Sequence, residues 1–211
     1  MLKKLIDLIF PTSCAICGKI YKKAICPQCF KILKQELIIQ TIKEKNLKLY
    51  FISFYEGKIK QLLLQFKFKD KPYLNELFTE LIIKDNKLKK IIEEYDFIVP
   101  VPMHKSNKNL RGYNQTELIT KDLENKTKVK NLNCLEKIKQ NKKQSSLSEK
   151  ERKTNIINVY KLVDNNIKDK AILLFDDIYT TGSTVKECIK ELQKGKPKKA
   201  DVLVISKSKK G

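Results

Sequence analysis

Residues 172–184 read ILLFDDIYTTGST. An apolar run of this length suits a buried strand, and Asp176 and Asp177 emerge at its carboxyl end. Thr180, Thr181, Gly182, Ser183 and Thr184 then turn into a helix. Such a turn points backbone N–H groups and hydroxyls at one spot, at the positive end of the helix dipole. That is a cradle for phosphate. Gly182 permits close approach of the backbone. The two carboxylates repel phosphate, and suit sugar hydroxyls or a Mg²⁺ that the phosphates share. The spacing asks for a phosphorylated sugar. The plainer alternative is a solvated strand end followed by a helix N-cap.

A second group is Cys14-x-x-Cys17 with Cys26-x-x-Cys29, separated by eight residues. Each pair forms a knuckle whose turn aims two thiolates at one point, and four thiolates complete the tetrahedron that zinc prefers. Gly18 suits the tight turn after the first pair, and Pro27 fixes φ in the second. With four thiolates no position is open for water, so the metal is expected to be structural. Disulfides, or a redox or iron site, are the alternatives. No secretory signal is read in residues 1–10, MLKKLIDLIF, so a reducing cytoplasm is expected, where paired CxxC sets bind metal. The apolar residues of that stretch share one helical face, which either packs on the domain or docks on a membrane surface or a partner.

These groups need elements to hold them. Residues 27 to about 42 read as a helix, 47–55 as a strand, and 57–68 and 73–83 as helices, with a break at Asp70-Lys71-Pro72. Residues 96–102 read as a strand, 113–123 as a helix, 132–138 as a strand and 140–154 as a long mobile loop. Strand 170–177, helix 182–194 and strand 200–206 follow. Strands alternating with helices from residue 96 argue for an α/β parallel sheet, with ligands at the carboxyl ends of the strands. Three parts are expected: an amphipathic helix and four-cysteine finger over 1–35, a hood-like segment over 36–95, and the sheet domain over 96–211.

Lys and Arg total 45 against 24 Asp and Glu, a formal net charge of +21 over 211 residues. Nearly all the cations are Lys, and Lys, Ile and Asn crowd the whole chain. The charge therefore reads equally as compositional bias and as the mark of a polyanion partner. Lys137, Lys139, Lys142 and Lys143 form one cluster, and Lys194, Lys196, Lys198, Lys199, Lys207, Lys209 and Lys210 another. The two arginines, Arg111 and Arg152, stand in two different loops, where a planar fork would grip phosphate better than Lys. His104 is the one histidine. It reads as a surface or core residue, or as a pyrophosphate contact.

Residues 172–184 resemble the thirteen-residue signature of type I phosphoribosyltransferases. Residues 99–115, VPVPMHKSNKNLRGYNQ, residues 144–155, QSSLSEKERKTN, and the paired cysteines extend this to a resemblance to the ComF family of competence proteins. The resemblance implies a small amino-terminal four-cysteine zinc module, then a type I phosphoribosyltransferase-like parallel sheet flanked by helices. It implies that Asp176 and Asp177 hold the ribose hydroxyls, with Mg²⁺, and that residues 180–184 hold the 5-phosphate of phosphoribosyl pyrophosphate. His104, Lys105 and Arg111 then belong to the pyrophosphate loop, and Arg152 to a flexible loop over the site. Asn107 and Asn109 depart from the cations this pattern leads one to expect.

The function implied is a cytoplasmic, membrane-associated or soluble accessory to natural transformation. It would bind phosphoribosyl pyrophosphate with Mg²⁺ and help single-stranded DNA enter the cell, beside other competence proteins. Two alternatives stand. One is an active phosphoribosyltransferase of nucleotide metabolism, for which no base reader is evident in residues 30–95. The other is a zinc-containing DNA-binding module, for which arginines and aromatics are few.

Overall fold

Residues 171–175, AILLF, form the middle of the molecule because every side chain there is apolar and both faces of the strand are covered. A computed structural model describes residues 13–44, 47–139 and 158–209. The strands are β1 (Leu37–Glu44), β2 (Leu47–Phe54), β3 (Phe97–Pro100), β4 (Lys130–Asn131), β5 (Leu135–Lys137), β6 (Tyr160–Leu162), β7 (Ala171–Tyr179) and β8 (Lys199–Lys207). The helices are α1 (Pro27–Gln35), α2 (Gly57–Phe68), α3 (Leu74–Ile83), α4 (Asn86–Ile92), α5 (Lys105–Arg111), α6 (Gln115–Lys126) and α7 (Ser183–Lys194).

Six strands make one sheet in the order β1-β2-β8-β7-β3-β4. The pairs β2–β8, β8–β7, β7–β3 and β3–β4 are parallel, and β1 pairs antiparallel with β2 at one edge. The fold is therefore α/β with a mostly parallel sheet, as the alternation of elements led one to expect. β5 and β6 pair apart from it as a two-stranded antiparallel ribbon.

The period-2 alternation of β7 divides the core. Leu173 and Phe175 face one layer, with Ile59, Leu62, Leu63 and Phe66 of α2, Phe78 of α3 and Ile119 of α6. Ile172 and Leu174 face the other, with Val185, Cys188, Ile189 and Leu192 of α7. Those four α7 positions recur at i, i+3, i+4 and i+7, one helical face. Phe175 is fully buried, and truncating such a ring costs about 3–5 kcal/mol. The sheet thus holds the end of β7 rigidly against helices on both sides.

The sequence reading did not anticipate α4, α5 or β6, and of the strand expected over 132–138 only β5 forms, in the separate ribbon. The helix expected over residues 27–42 ends at Gln35, and Leu37–Glu44 is a strand. Ile38, Ile39, Thr41 and Ile42 are β-branched, and antiparallel pairing with β2 outweighs the weak helical pattern. β1 and β2 consequently extend the sheet from within residues 36–95. The amphipathic stretch 1–10 and the loop 140–154 lie outside the described residues. Among the described residues no helix is long and apolar enough to cross a membrane.

Candidate functional site

The four cysteines meet as their spacing demands. The N–H of Gly18 donates to the Cys14 carbonyl at 2.9 Å, and Gly18 takes φ +75°, which closes the first knuckle. The N–H of Ala15 donates to the Ala24 carbonyl, tying the first knuckle to the second. In the second, Cys26 caps α1 with Pro27 at its first turn, where a missing N–H costs nothing. All four Sγ atoms lie within 4.8 Å of one another, and Cys17 and Cys26 Sγ are 3.8 Å apart. A tetrahedron with metal–sulfur bonds of about 2.3 Å has edges of about 3.8 Å, whereas a disulfide would bring two sulfurs to about 2 Å. None of the four is in a disulfide. Burial raises the Cys14 thiol, but backbone hydrogen bonds from Cys17, Cys26 and Ile16 outweigh it and bring the pKa down to about 6. Burial, and then the other three thiols, push Cys29 up to about 12. A preformed cage of four sulfurs that includes an easily ionised thiol suits a soft divalent cation such as zinc.

The second site sits at the carboxyl end of β7. A cavity of about 370 Å³ is lined there by Asp176, Asp177, Thr180 and Thr184, and from other elements by Lys67, Arg111 and Lys137. That volume is at the low end for small-molecule sites. Asp176 Oδ1 accepts from the Asp177 N–H at 2.8 Å, which fixes the pair relative to each other. Gly182 caps α7 with φ +70°, and a Cβ there would run into the Tyr179 ring and hydroxyl. The loop therefore requires glycine on two counts. Thr180 and Thr184 line the cavity. Thr181 and Ser183 bond each other through their hydroxyls at 2.9 Å and do not line the cavity.

Electrostatics make the cavity a mixed site. Burial raises the Asp176 carboxyl to about 7, with the Asp177 charge adding to the rise. Lys67 Nζ lies 2.8 Å from Asp177 Oδ1, with side-chain exposures of 22% and 8%. Burial acts against the Lys67 ammonium, but the Asp177 carboxylate prevails and holds its pKa above the ordinary value. Burial lowers Lys137, and Cys188 and Asp176 offset part of that. Three cations thus face two carboxylates. That suits a ligand carrying hydroxyls at one end and several phosphate charges at the other. Carboxylates beside a phosphate site are also what Mg²⁺ uses when it keeps several waters and shares the phosphates.

The remaining candidates are placed as follows. Arg111 lines the cavity, donates from Nη1 to Gln115 Oε1 at 2.6 Å and stands 5.4 Å over the Phe68 ring. Burial lowers its pKa, and Asp177 offsets part of that. His104 caps α5: its Nδ1 accepts from the Ser106 N–H at 3.3 Å and pairs with the Ser106 hydroxyl at 2.7 Å. Lys105 pairs with Glu136 at 3.0 Å on the surface. Neither His104 nor Lys105 lines the cavity. Arg152 lies outside the described residues. Sequence reasoning missed Lys67, and it grouped Lys137 with a lysine cluster read as bias or as a polyanion surface, whereas the structure puts that side chain in the cavity. A larger cavity of about 710 Å³ adjoins the first and shares Lys67, Asn107 and Arg111 with it.

No protein-family model matches the chain. It is 30% identical over 153 residues to Competence protein F of Haemophilus influenzae, covering 70% of this chain and 67% of that protein. It is 26% identical over 189 residues to Competence protein ComFC of Bacillus subtilis, covering 87% of this chain and 72% of that one. Among solved structures it is similar to a hypoxanthine phosphoribosyltransferase from Staphylococcus aureus, with TM-score 0.38, 14% identity, and coverage of 64% and 63% of the two chains. The same TM-score, 0.38, relates it to a purine phosphoribosyltransferase from Pyrococcus horikoshii, at 15% identity over 66% of this chain and 87% of that one.

Proposed function

The chain belongs to the ComF family of competence proteins, and from that premise we propose that it binds phosphoribosyl pyrophosphate with Mg²⁺ and assists the uptake of single-stranded DNA. The observation that carries the ligand is the cavity at the end of β7. There two carboxylates, Thr180 of the turn and Thr184 of the first turn of α7, and three cations from separate elements converge. Asp176 and Asp177 accept the ribose hydroxyls, with Mg²⁺ shared between the acid pair and the phosphates. The residue 180–184 turn takes the 5-phosphate. Lys67, Arg111 and Lys137 supply the positive charge that Asn107 and Asn109 do not, and they face the pyrophosphate end. The zinc held by Cys14, Cys17, Cys26 and Cys29 is structural.

Titration calorimetry with phosphoribosyl pyrophosphate and Mg²⁺ tests this. Asp177→Ala removes charged hydrogen bonds and should weaken binding by about 1–3 kcal/mol. Equal affinity in wild type and variant would place the ligand elsewhere. An active transferase is the second reading, favoured by the adjoining 710 Å³ cavity, which leaves room for an acceptor beside the sugar. Release of pyrophosphate on addition of one of the nucleobases would establish it.

Single-stranded DNA binds away from the acid pair, which repels its backbone. The surface proposed is a groove of about 660 Å³ rimmed by Lys186, Lys196, Lys198 and Lys199 over Val185, Ile189 and Pro197. Affinity should fall with a log–log salt slope of about −0.7 per phosphate neutralised. Reversal of Lys196 and Lys198 to Glu should weaken it, and Asp177→Ala should not. Stoichiometric displacement of an oligothymidine by phosphoribosyl pyrophosphate would put DNA in the acid-pair cavity instead.

A further inference from the structure

The last turn of α2 is tied to the first cysteine knuckle on one side and to the phosphate cavity on the other. Gln65 and Lys67 are two positions apart, and at about 100° per residue they project from nearly opposite sides of the helix. On one side Gln65 Nε2 donates to the Ala15 carbonyl at 2.6 Å, inside the Cys14–Cys17 knuckle, while its Oε1 accepts from Lys71 Nζ at 2.7 Å. On the other side Lys67 Nζ reaches Asp177 Oδ1 at 2.8 Å. Between them lies the carbonyl of Phe66, one of the last four in the helix and so without a partner inside it. It accepts from Tyr113 Oη at 2.6 Å and from Gln115 Nε2 at 3.3 Å. The same Gln115 holds Arg111. At the other end of α2, the Glu36 carboxylate, just after α1, accepts from the N–H groups of Lys58 and Ile59 at 2.7 and 3.2 Å.

We propose that the cysteine module is a positioning element for the phosphate cavity, acting through Gln65. The hydrogen bond from Gln65 to Ala15 sets the rotation of α2 about its axis. That rotation keeps Lys67 on Asp177 and keeps the Phe66 carbonyl where Gln115 can hold Arg111. Two cavity cations therefore depend on a knuckle that does not touch the cavity. Zinc at the four cysteines and a phosphorylated ligand in the cavity are linked, and each raises the affinity for the other by the same factor. Gln65 is a positioning residue. A glutamine that only satisfied its own hydrogen bonds would cost stability when replaced, and would leave the Lys67 amine unchanged in the folded protein.

The test uses the full zinc-loaded chain. Gln65→Glu keeps the size and the acceptor facing Lys71, but an ionised carboxylate cannot donate to Ala15. Gln65→Met removes both bonds. Acylation of individual lysines by an N-hydroxysuccinimide ester is followed at pH 8 by peptide mass spectrometry, without ligand. Lys67 labelling should rise about 3–10-fold in either variant, and equally in the wild-type chain after zinc is chelated, with Lys87 on α4 as the unchanged reference. Zinc release to a chromogenic chelator is then timed with and without phosphoribosyl pyrophosphate and Mg²⁺. Ligand should slow release several-fold in the wild type and have no effect in Gln65→Glu. Unchanged Lys67 labelling in a folded variant and in the chelated wild type overturns the proposal. So does zinc release that ignores a ligand shown to bind. The second arm rests on the ligand assigned under Proposed function and the first does not. A wild type that fails to bind phosphoribosyl pyrophosphate therefore removes that assignment and leaves the labelling arm to decide the coupling.

Discussion

Asp176→Asn should make the ligand-free protein more stable at neutral pH while weakening the proposed binding of phosphoribosyl pyrophosphate. Burial, and then the Asp177 charge, raise the Asp176 pKa from 3.8 to about 7. The unfolded chain loses this proton near pH 4, but the folded chain keeps it until about pH 7. Between those values the folded state binds more protons than the unfolded one, so stability falls as pH rises through the window. Above pH 7 the full cost of a buried charge beside Asp177 remains. The rise from 3.8 to about 7, at 1.36 kcal/mol per pH unit, bounds that cost at about 4 kcal/mol. Asp176 is only half-buried and faces a solvated cavity. Screening should reduce the figure to roughly 1–2 kcal/mol. Asparagine carries no charge, and its Oδ1 can still accept the Asp177 N–H. For a chain of this length that corresponds to a midpoint about 2–8 °C higher at pH 8. The gap should close toward pH 4, where both proteins are neutral at position 176. Thermal and urea denaturation between pH 4.5 and 8.5 measures it, with zinc content held equal, so that cysteine titration cancels in the difference. A variant less stable than wild type at pH 8, or a difference independent of pH, would refute the electrostatic account.

Other expectations follow from the same geometry. Cys14→Ser and Cys26→Ser should lose zinc and unfold the amino-terminal module, because binding and folding are coupled in such sites. Cys134→Ala and Cys188→Ala should keep the metal, and full zinc in Cys14→Ser by elemental analysis ends the assignment. Gly182→Ala should cost about 1–3 kcal/mol, because alanine is strained at φ +70° and its Cβ meets Tyr179. An unchanged urea midpoint would show that the turn relaxes. Arg111→Lys keeps the charge but loses the fork held by Gln115 and stacked on Phe68. It should weaken phosphoribosyl pyrophosphate by about 1–2 kcal/mol in calorimetry, and equal binding would take Arg111 out of the site.

The parts of the site that were readable from sequence are those carried by one continuous segment. β7, its acid pair and the turn into α7 lie within residues 171–194, and strand, carboxylates, glycine and helix each leave a local mark. The cysteines were readable because metal geometry constrains spacing within twenty residues. Lys67 left no such mark. Its partner Asp177 is 110 residues away, and one lysine among so many carries no signal until the fold brings α2 against the end of β7. Lys137 was hidden for the same reason. The capping role of His104 left no mark either, because its Nδ1 accepts from the Ser106 backbone N–H, which any residue but proline supplies. The strand β1 was misread because residues 36–42 carry apolar side chains that fit either period, and only pairing with β2 decides between them.

An acid pair of this kind costs stability when no ligand is bound. Among the described residues Asp176 makes no direct ion pair, and the Lys67 and Lys137 charges only partly offset its burial, while Lys67 is committed to Asp177. A fold selected for stability alone would replace one of the two carboxylates, as the Asp176→Asn prediction makes explicit. The surrounding structure instead fixes the cost in place. Gly182 admits no side chain, Tyr179 is held by Glu44 at 2.6 Å, and α2 is anchored at both ends and through Gln65 to the cysteine knuckle. Destabilising charge held by a rigid frame supports the ligand site proposed above. The proposed ligand would relieve Asp176 by hydrogen bonding or by a shared cation, and would present enough anionic charge to occupy Arg111 and Lys137. A neutral base or a bare sugar would do the first without the second, and inorganic phosphate the second without the first. A sugar carrying phosphate groups does both, which is why the binding experiment should rank phosphoribosyl pyrophosphate above ribose and above phosphate supplied separately.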